Sequence, residues 1–274
     1  PLPRGPIRPP QDPSQHKRAW LTRPMMGLLP DSAMVIIVAL FGEIVMRAYL
    51  AEGIGTFALV FAGTGAIISD EFSGGDVTHV GIALTFGLIV MAMIQSIGDI
   101  SGAHINPAVT IAFWVARRFP GRQVLPYIGF QVTGALFASG ILKLLFPVNH
   151  LLGSTVPAGP WHQAFIFEIL LTGTLMFVIL CVSTGAQEKG LMAGVTIGAV
   201  VALEAMFAGP ITGASMNPAR SIGPAIMAWR PETLNILWLY ILAPILGAVI
   251  SVPWCHSIQP AGLRESEDAT EASG

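Results

Sequence analysis

Long apolar stretches separated by short polar segments dominate the chain between residues 48 and 254. Six of them approach the roughly 20 residues that an α-helix needs to cross the hydrocarbon core of a bilayer. They predict transmembrane helices at about 48–69, 78–98, 124–146, 162–184, 190–209 and 233–254. A further apolar stretch, 32–46, is too short for a separate span. The pattern is compatible with two alternatives for this stretch, an interfacial helix or an extension of the first span.

Two shorter apolar segments interrupt this pattern. The sequences SGAHINPAVT at 101–110 and TGASMNPARS at 212–221 each place Asn-Pro-Ala after a Gly-Ala segment. Asn is a preferred N-cap and Pro is favoured at the first helical position, so each motif predicts the start of a helix. The apolar runs that follow are too short to span a bilayer. They predict two re-entrant half-helices whose positive N-terminal ends lie at membrane depth.

The two halves of the chain repeat the same order of elements. Residues 47–146 and 162–256 each contain three predicted spans and one half-helix, and Asn106 and Asn217 lie 111 positions apart. Because three is an odd number, the second copy enters from the opposite side, and the broken helices meet near the midplane. The sequence therefore predicts an all-α membrane protein with six transmembrane helices and two re-entrant half-helices in an inverted repeat.

Composition supports a multi-pass membrane protein. Hydrophobic residues make up 53% of the 274 positions and charged residues 11%, whereas soluble domains have about 25% charged residues. The net charge of -2 gives no reason to expect a nucleic-acid partner. Cys181 and Cys255 lie in apolar stretches without metal-ligand spacing, which favours a packing role. No catalytic arrangement is apparent, so we expect no enzymatic activity, cofactor or metal.

The ends of the chain and its basic residues predict an orientation. Residues 1–46 are expected to form an N-terminal arm, disordered apart from the short apolar segment, and residues 257–274 a C-terminal tail. Lys143 and Arg230 fall on one side of the predicted bilayer. More basic residues fall on the other side, together with the arm: Arg117, Arg118, Arg122, Lys189 and Arg264. The positive-inside rule then makes both termini cytoplasmic.

Facing half-helices favour a pore for neutral solutes. Asn106 and Asn217 can each cap a helix and direct an amide N–H donor into a lumen. Two such donors and two positive dipole ends would accept the oxygen of an uncharged solute and repel cations, protons included. Arg220 follows the second motif, and an Arg at membrane depth is costly unless it faces a wet cavity. The alternative for Arg220 is a structural role, bonded to loop carbonyls.

A secondary transporter is the main alternative from another functional class, because such proteins also use inverted repeats and broken helices. Small residues in the spans favour tight, static helix packing instead. They include Gly53, Gly55, Gly134 and Gly247.

The paired motifs HINPAVT at 104–110 and MNPARS at 216–221 resemble those of the aquaporins, the major intrinsic proteins. The resemblance covers about residues 47–256, which would form the channel domain. It implies one pore per subunit, a homotetramer in the cell membrane, and water and small neutral solutes as the molecules conducted. It also implies that the pore is built around two Asn-Pro-Ala motifs, Asn106, Pro107, Ala108 and Asn217, Pro218, Ala219.

The resemblance further implies a selectivity constriction formed by Phe86, Ala205, Ala214 and Arg220. Strict water channels of the family usually carry His at the position of Ala205. Two alanines and a Phe would leave a wider, more apolar opening, suited to glycerol, urea or metalloid hydroxides beside water. Residues 207–220 look most like the nodulin-type branch, known from plants and bacterial relatives. Ser221 differs from the Asp of glycerol facilitators, so a strict water channel stays the alternative.

The remaining polar residues in the predicted membrane region have less specific interpretations. Glu52 and Glu168 match across the repeat and, by resemblance, support the loops that hold the half-helices. His104 resembles a pore-lining residue whose carbonyl points inward. The alternative is that its ring merely packs against the loop. Asp99 would lie at the cytoplasmic mouth. Glu204 directly precedes a constriction position and is either a buried Glu bonded to a neighbouring helix or an acceptor near the constriction.

Overall fold

The computed structural model describes residues 31–183 and 187–258, with side chains described for 42–183 and 192–258. Within these ranges the chain forms nine helices and no strand. In chain order they are α1 Asp31–Ser73, α2 Thr78–Ser101, α3 Pro107–Val115, α4 Gly121–Leu145, α5 Trp161–Val182, α6 Gln187–Thr212, α7 Pro218–Ala228, α8 Pro231–Leu234 and α9 Leu237–Ile258.

Six segments of the described chain are long and apolar enough to cross a membrane. They are Gly42–Ser73, Thr78–Ser101, Gly121–Leu145, Trp161–Val182, Met192–Thr212 and Pro231–Ile258. The two short helices α3 and α7 follow the second and fifth of these segments. The predicted all-α fold with six spans and two half-helices is therefore confirmed, with span boundaries shifted by a few residues.

The first span is longer than the sequence pattern suggests. Helix α1 begins at Asp31, so the apolar stretch 32–46 belongs to the same continuous helix as the first span. Within the described residues, the part of α1 before Met46 and the residues from Met46 onwards belong to two separate units. Residues 1–30 of the predicted arm (1–46) and residues 259–274 of the predicted tail (257–274) lie outside the described residues.

Glycine pairs allow the long helices to pack closely. Helix α4 crosses α1 where a Cβ at Gly134 would lie 2.1 Å from the carbonyl oxygen of Gly53. Helix α9 crosses α5 in the same way, because a Cβ at Gly247 would lie 2.2 Å from the carbonyl oxygen of Ile169. Small residues at helix crossings are typical of membrane proteins, where backbones can then approach each other.

Large apolar side chains point outward from the spans, as expected for surfaces that meet lipid. Examples are Leu84, Leu88, Ile166 and Leu203, all of which are exposed. The interior, by contrast, contains the two half-helices α3 and α7, which contact each other. This arrangement places the N-terminal ends of both half-helices, and the loops that precede them, in the middle of the protein.

Candidate functional site

The loops before the two half-helices have nearly the same backbone. In each, a glycine and two non-glycine residues adopt positive φ angles. These are Gly102 (83°), Ala103 (48°) and Ile105 (43°) in the first loop, and Gly213 (84°), Ala214 (40°) and Met216 (53°) in the second. Left-handed backbone at non-glycine residues is costly and persists only where the surroundings impose it. The contacts that impose it here come from a buried carboxylate behind each loop.

Glu52 on α1 holds the first loop. Its carboxylate accepts hydrogen bonds from the backbone N–H of His104 (2.9 Å) and of Ile105 (2.7 Å). It also accepts from the Oγ of Ser101 (2.7 Å) and from the Nε2 of Gln131 on α4 (2.7 Å). Four donors surround a side chain that is 0% exposed, which is what a carboxylate needs in order to be buried at this depth.

Glu168 on α5 holds the second loop in the same manner. Its carboxylate accepts from the backbone N–H of Ser215 and of Met216, both at 2.9 Å, and from the Oγ1 of Thr212 (2.8 Å). A tyrosine adds one bond to the start of each loop. Tyr127 donates to the carbonyl of Ser101, and Tyr240 donates to the carbonyl of Thr212.

Asn106 and Asn217 cap the half-helices with their amide oxygens. The Oδ1 of Asn106 accepts from the N–H of Ala108 (2.9 Å), and the Oδ1 of Asn217 accepts from the N–H of Ala219 (3.0 Å). The following prolines occupy the first helical position, where no N–H is needed. The geometry therefore places the starts of α3 and α7 where the sequence predicts them.

The amide nitrogens of the same two residues join the halves. The Nδ2 of Asn106 donates to the carbonyl of Met216 (2.8 Å), and the Nδ2 of Asn217 donates to the carbonyl of Ile105 (2.9 Å). An amide NH₂ carries two hydrogens, so each of these groups retains a second donor. The two loops thus form one reciprocal unit, with donors remaining beside the cavity described next.

A cavity of about 140 Å³ lies against both loops. Residues from both halves line it, among them His104, Asn106, Asn217 and Arg220. Most of the other lining side chains are aliphatic or aromatic, including Val90, Ile94, Leu175, Ile179, Ile197 and Val201. The prolines and alanines of the two Asn-Pro-Ala motifs are buried and do not line it. The cavity therefore combines an apolar wall with polar groups from the loops.

Arg220 is 2% exposed and still faces this cavity. Its Nη1 donates to the carbonyl of Gly153 (2.8 Å), and its guanidinium carbon lies 4.9 Å from the ring centroid of Phe86. This distance is typical of a cation–π contact. Its Nε has no hydrogen-bond partner among the described residues. Both interpretations of Arg220 from the sequence are therefore compatible, because it binds a loop carbonyl and also lines the cavity.

Most of the chain matches a known protein family. The sequence profile described as "Major intrinsic protein" matches residues 42–254. This chain belongs to the major intrinsic protein family. The family consists of channel and transport proteins, and the chain is a multi-pass membrane protein that forms a channel for water and small solutes. The predicted family, fold and channel class are thereby confirmed.

Among curated relatives, "Aquaporin NIP1-1" of Oryza sativa subsp. japonica is 45% identical over 214 residues, covering 78% of this chain and 74% of the relative. "Nodulin-26" of Glycine max is 44% identical over 214 residues, covering 78% of both chains. These similarities support the predicted nodulin-type branch. The solved aquaglyceroporin from Plasmodium falciparum matches with a TM-score of 0.70 at 24% identity, covering 78% of this chain and 96% of that one. This last likeness concerns the fold alone.

Not every predicted site residue of this family member lies at the cavity. Phe86, Ala214 and His104 line it, whereas Ala205 is buried on α6 and does not. Glu204 is 2% exposed, does not line the cavity, and its Oε2 has no hydrogen-bond partner among the described residues. Asp99 is exposed and also lies outside the lining. The functional roles assigned to all these residues stay predictions.

His104 contributes to the loop through its ring as well as its backbone. The imidazole ring stacks on the ring of Phe113, with 4.7 Å between the ring centroids, and its Nδ1 lies 3.2 Å from the Oγ1 of Thr110. Both of the alternatives for His104 therefore have a structural counterpart, since the residue packs the loop and also lines the cavity.

The sequence pattern assigns no role to three further residues that support the loops. Gln131 donates to the Glu52 carboxylate, and Tyr127 and Tyr240 donate to loop carbonyls. The signal that could have identified the tyrosines is the repeat itself. Tyr127 and Tyr240 are separated by the same 113 positions as Gly134 and Gly247. Gln131 has no such signal, because the matching position holds a proline, Pro244.

Proposed function

We propose that this channel passively conducts water together with small uncharged solutes such as glycerol, urea or metalloid hydroxides, and that it excludes ions and protons. One observation carries the proposal. Asn106 and Asn217, from opposite halves of the chain, line the same cavity with amide donors, and Arg220 lines it as well. Oxygen-bearing neutral solutes can accept hydrogen bonds from such donors in place of water.

Exclusion of cations follows from the charges around this cavity. The N-terminal ends of α3 and α7 carry positive partial charge, and Arg220 adds a permanent positive charge. No acidic side chain is among the described lining residues, so a cation entering the cavity would meet no compensating charge. Hydrogen-bond donors on both asparagines also oppose a continuous chain of waters with one orientation, which supports the exclusion of protons.

The proposal that solutes larger than water pass the channel rests on the residues of the constriction. The ring of Phe86 lies against the guanidinium of Arg220, and Ala214 lines the same cavity. We place Ala205 as the fourth member, as the family pattern implies. Without an imidazole, this wall has few polar groups and suits the carbon-bearing face of glycerol or the plane of urea.

We further propose that the channel is a homotetramer in the cell membrane with both termini cytoplasmic. The asymmetry of basic residues between the two sides supports this orientation. We expect Glu52 and Glu168 to act as structural supports of the loops, and we expect no catalysis, cofactor or metal in the conduction mechanism.

The test is stopped-flow light scattering of vesicles that contain the purified protein, without any ion gradient. Vesicles are mixed with glycerol, with urea or with an impermeant osmolyte at equal osmolarity. We expect fast shrinkage with all three, followed by reswelling with glycerol and urea. Shrinkage without reswelling in both would favour a strict water channel, and a solute flux that requires an ion gradient would favour a transporter.

The role of Arg220 is tested by Arg220→Ala in the same vesicles. Removing the guanidinium widens the constriction, so we expect the ratio of glycerol permeability to water permeability to rise. Arg122→Ala, a change to an exposed arginine near the start of α4, is the control. An unchanged ratio in Arg220→Ala would remove this residue from the constriction.

A further inference from the structure

The orientation of Arg220 depends on a loop that belongs to neither Asn-Pro-Ala motif. Among the described residues, the guanidinium makes one hydrogen bond, to the carbonyl of Gly153. Gly153 lies in the segment 146–160, which connects α4 to α5. We call this segment the outer loop. A second contact ties it to the start of α7, where the Oγ1 of Thr155 donates to the Oγ of Ser221 (2.9 Å).

The position of the Gly153 carbonyl is set by a tight left-handed turn. Leu152 and Gly153 have φ angles of 52° and 67°. Leu152 is 1% exposed and packs with Ile68 and Leu142. A Cβ at Gly153 would lie 2.8 Å from the Cβ of Thr64, so only glycine fits at this point. The turn therefore presses directly on α1 and leaves the carbonyl little freedom as long as the turn is closed.

Asn149 closes this turn and connects it to α1. Its Oδ1 accepts from the N–H of Leu152 (2.7 Å), and its Nδ2 donates to the Oε2 of Glu71 (2.6 Å). Glu71 is exposed near the end of α1. A continuous set of contacts thus runs from the Glu71 carboxylate through Asn149 and the turn to the Gly153 carbonyl and Arg220.

We propose that Glu71 and Asn149 are positioning residues for Arg220 and thereby set the solute selectivity of the channel. This inference rests on the proposed function, in which Arg220 forms part of the constriction. When the Glu71–Asn149 bond is lost, the turn loosens and the Gly153 carbonyl moves away from Nη1. The guanidinium then loses its hydrogen bond to the protein and enters the cavity. There it obstructs a bulky solute such as glycerol more than it obstructs water.

The experiment uses Asn149→Asp and Glu71→Gln, singly and combined, in the full-length channel reconstituted in vesicles. Asn149→Asp keeps the acceptor for Leu152 but places a carboxylate against Glu71. We expect the ratio of glycerol permeability to water permeability to fall by roughly twofold to fivefold, a small effect because the exposed Glu71 carboxylate is screened by solvent. Glu71→Gln alone keeps an acceptor for the Asn149 amide, and its ratio should stay near the unmodified value.

The double variant provides the decisive measurement. With Gln at 71 and Asp at 149, the donor and acceptor exchange sides, and the hydrogen bond can form again with one carboxylate. We expect the ratio to return towards the unmodified value. Asn235→Asp is the matched control, because Asn235 is exposed and its side chain makes no hydrogen bond among the described residues.

The outcomes separate this inference from the proposed function. A ratio in Asn149→Asp equal to that in Asn235→Asp, or a double variant no closer to the unmodified channel than Asn149→Asp, overturns the positioning role. If the positioning role is overturned but Arg220→Ala raises the ratio in the same experiment, the proposed constriction still stands. If Arg220→Ala leaves the ratio unchanged, the constriction itself is wrong. Glu71→Leu, which removes the acceptor without adding a charge, must lower the ratio as Asn149→Asp does.

Discussion

The two re-entrant loops have the same backbone conformation but present different side chains to the cavity. In both, a buried carboxylate holds two consecutive N–H groups, an asparagine caps the half-helix, and a tyrosine binds the residue before the glycine. At matching positions, however, the first half-helix has Val109 where the second has Arg220. The comparison teaches that the scaffold is kept symmetric, because both loops need the same strained backbone. At this pair of positions the asymmetry lies in a side chain that faces the cavity.

The loops also differ in what ties them to the rest of the protein. Thr110 of the first half-helix accepts from the Nε2 of Gln131 on α4 (3.0 Å). The matching residue of the second half-helix, Ser221, instead contacts Ser215 and Thr155. The first loop is therefore supported by a transmembrane helix, whereas the second is supported in part by the outer loop. Arg220, and with it the proposed selectivity, therefore belongs to the loop that depends in part on the outer loop for its support.

The largest expected effect comes from removing either carboxylate. Glu52→Leu or Glu168→Leu leaves the two backbone N–H groups of its loop without an acceptor, at a cost of about 1–3 kcal/mol for each buried group. The strained loop backbone would then lose what holds it. We expect little folded channel from either variant, measured as the monodisperse fraction after extraction in mild detergent. Glu232→Leu, at an exposed position on α8, should leave that fraction unchanged, and equal yields for all three variants would contradict the prediction.

A smaller effect is expected at the two glycine crossings. A Cβ in Gly134→Ala or Gly247→Ala would meet a backbone carbonyl at 2.1 or 2.2 Å, so the helices must separate. Overpacking of this kind typically costs about 1–3 kcal/mol. We expect both variants to lower the midpoint of thermal aggregation in detergent, and by similar amounts. Gly140→Ala, on the same helix as Gly134 with nothing within 4 Å of the added Cβ, should not lower it.

The repeat explains how far the sequence alone could predict this protein. Span number and both half-helices follow from hydrophobic length and from two copies of one motif. The supporting role of Glu52 and Glu168 follows from their match across the repeat together with the family resemblance. These features are local, or they repeat, and so they leave a pattern in the sequence. The motifs predict amide donors of Asn106 and Asn217 directed into a lumen, but not the reciprocal bonds of these amides to the opposite loops. The motif therefore predicts the centre of the site better than its edges.

The edges of the site depend on contacts that leave no pattern. Gly153 binds Arg220 across 67 positions, from a segment without periodicity. Gln131 serves Glu52 without a counterpart in the second half, because Pro244 occupies the matching position. Ala205 is a different case: the family pattern assigns it to the constriction, but it is not among the lining residues of the described cavity, so its role stays a prediction.

Gln131→Leu would make the first loop resemble the second. The change removes one of the four donors to Glu52 and the contact with Thr110. We expect a loss of about 1–3 kcal/mol in stability, because the remaining three donors still satisfy the carboxylate. The readout is the thermal midpoint in detergent, together with water permeability, which should persist in the folded fraction. Gln163→Leu, at an exposed position on α5, is the control. Lost water permeability in the folded fraction would mean that the first loop cannot tolerate the support that suffices for the second.

The smallest expected effect tests whether the loops are equally strained. Ala103 and Ala214 have φ angles of 48° and 40°, a region that costs a non-glycine residue about 1–2 kcal/mol. Ala103→Gly and Ala214→Gly relieve this strain, but glycine also gives the unfolded chain more freedom, which costs about 0.4–1 kcal/mol. We therefore expect shifts of less than about 1 kcal/mol, equal in the two halves. Thermal midpoints of the two variants, measured side by side, check this. A clear difference between the two midpoints would contradict the prediction. The two loops would then share their backbone shape but differ in strain energy.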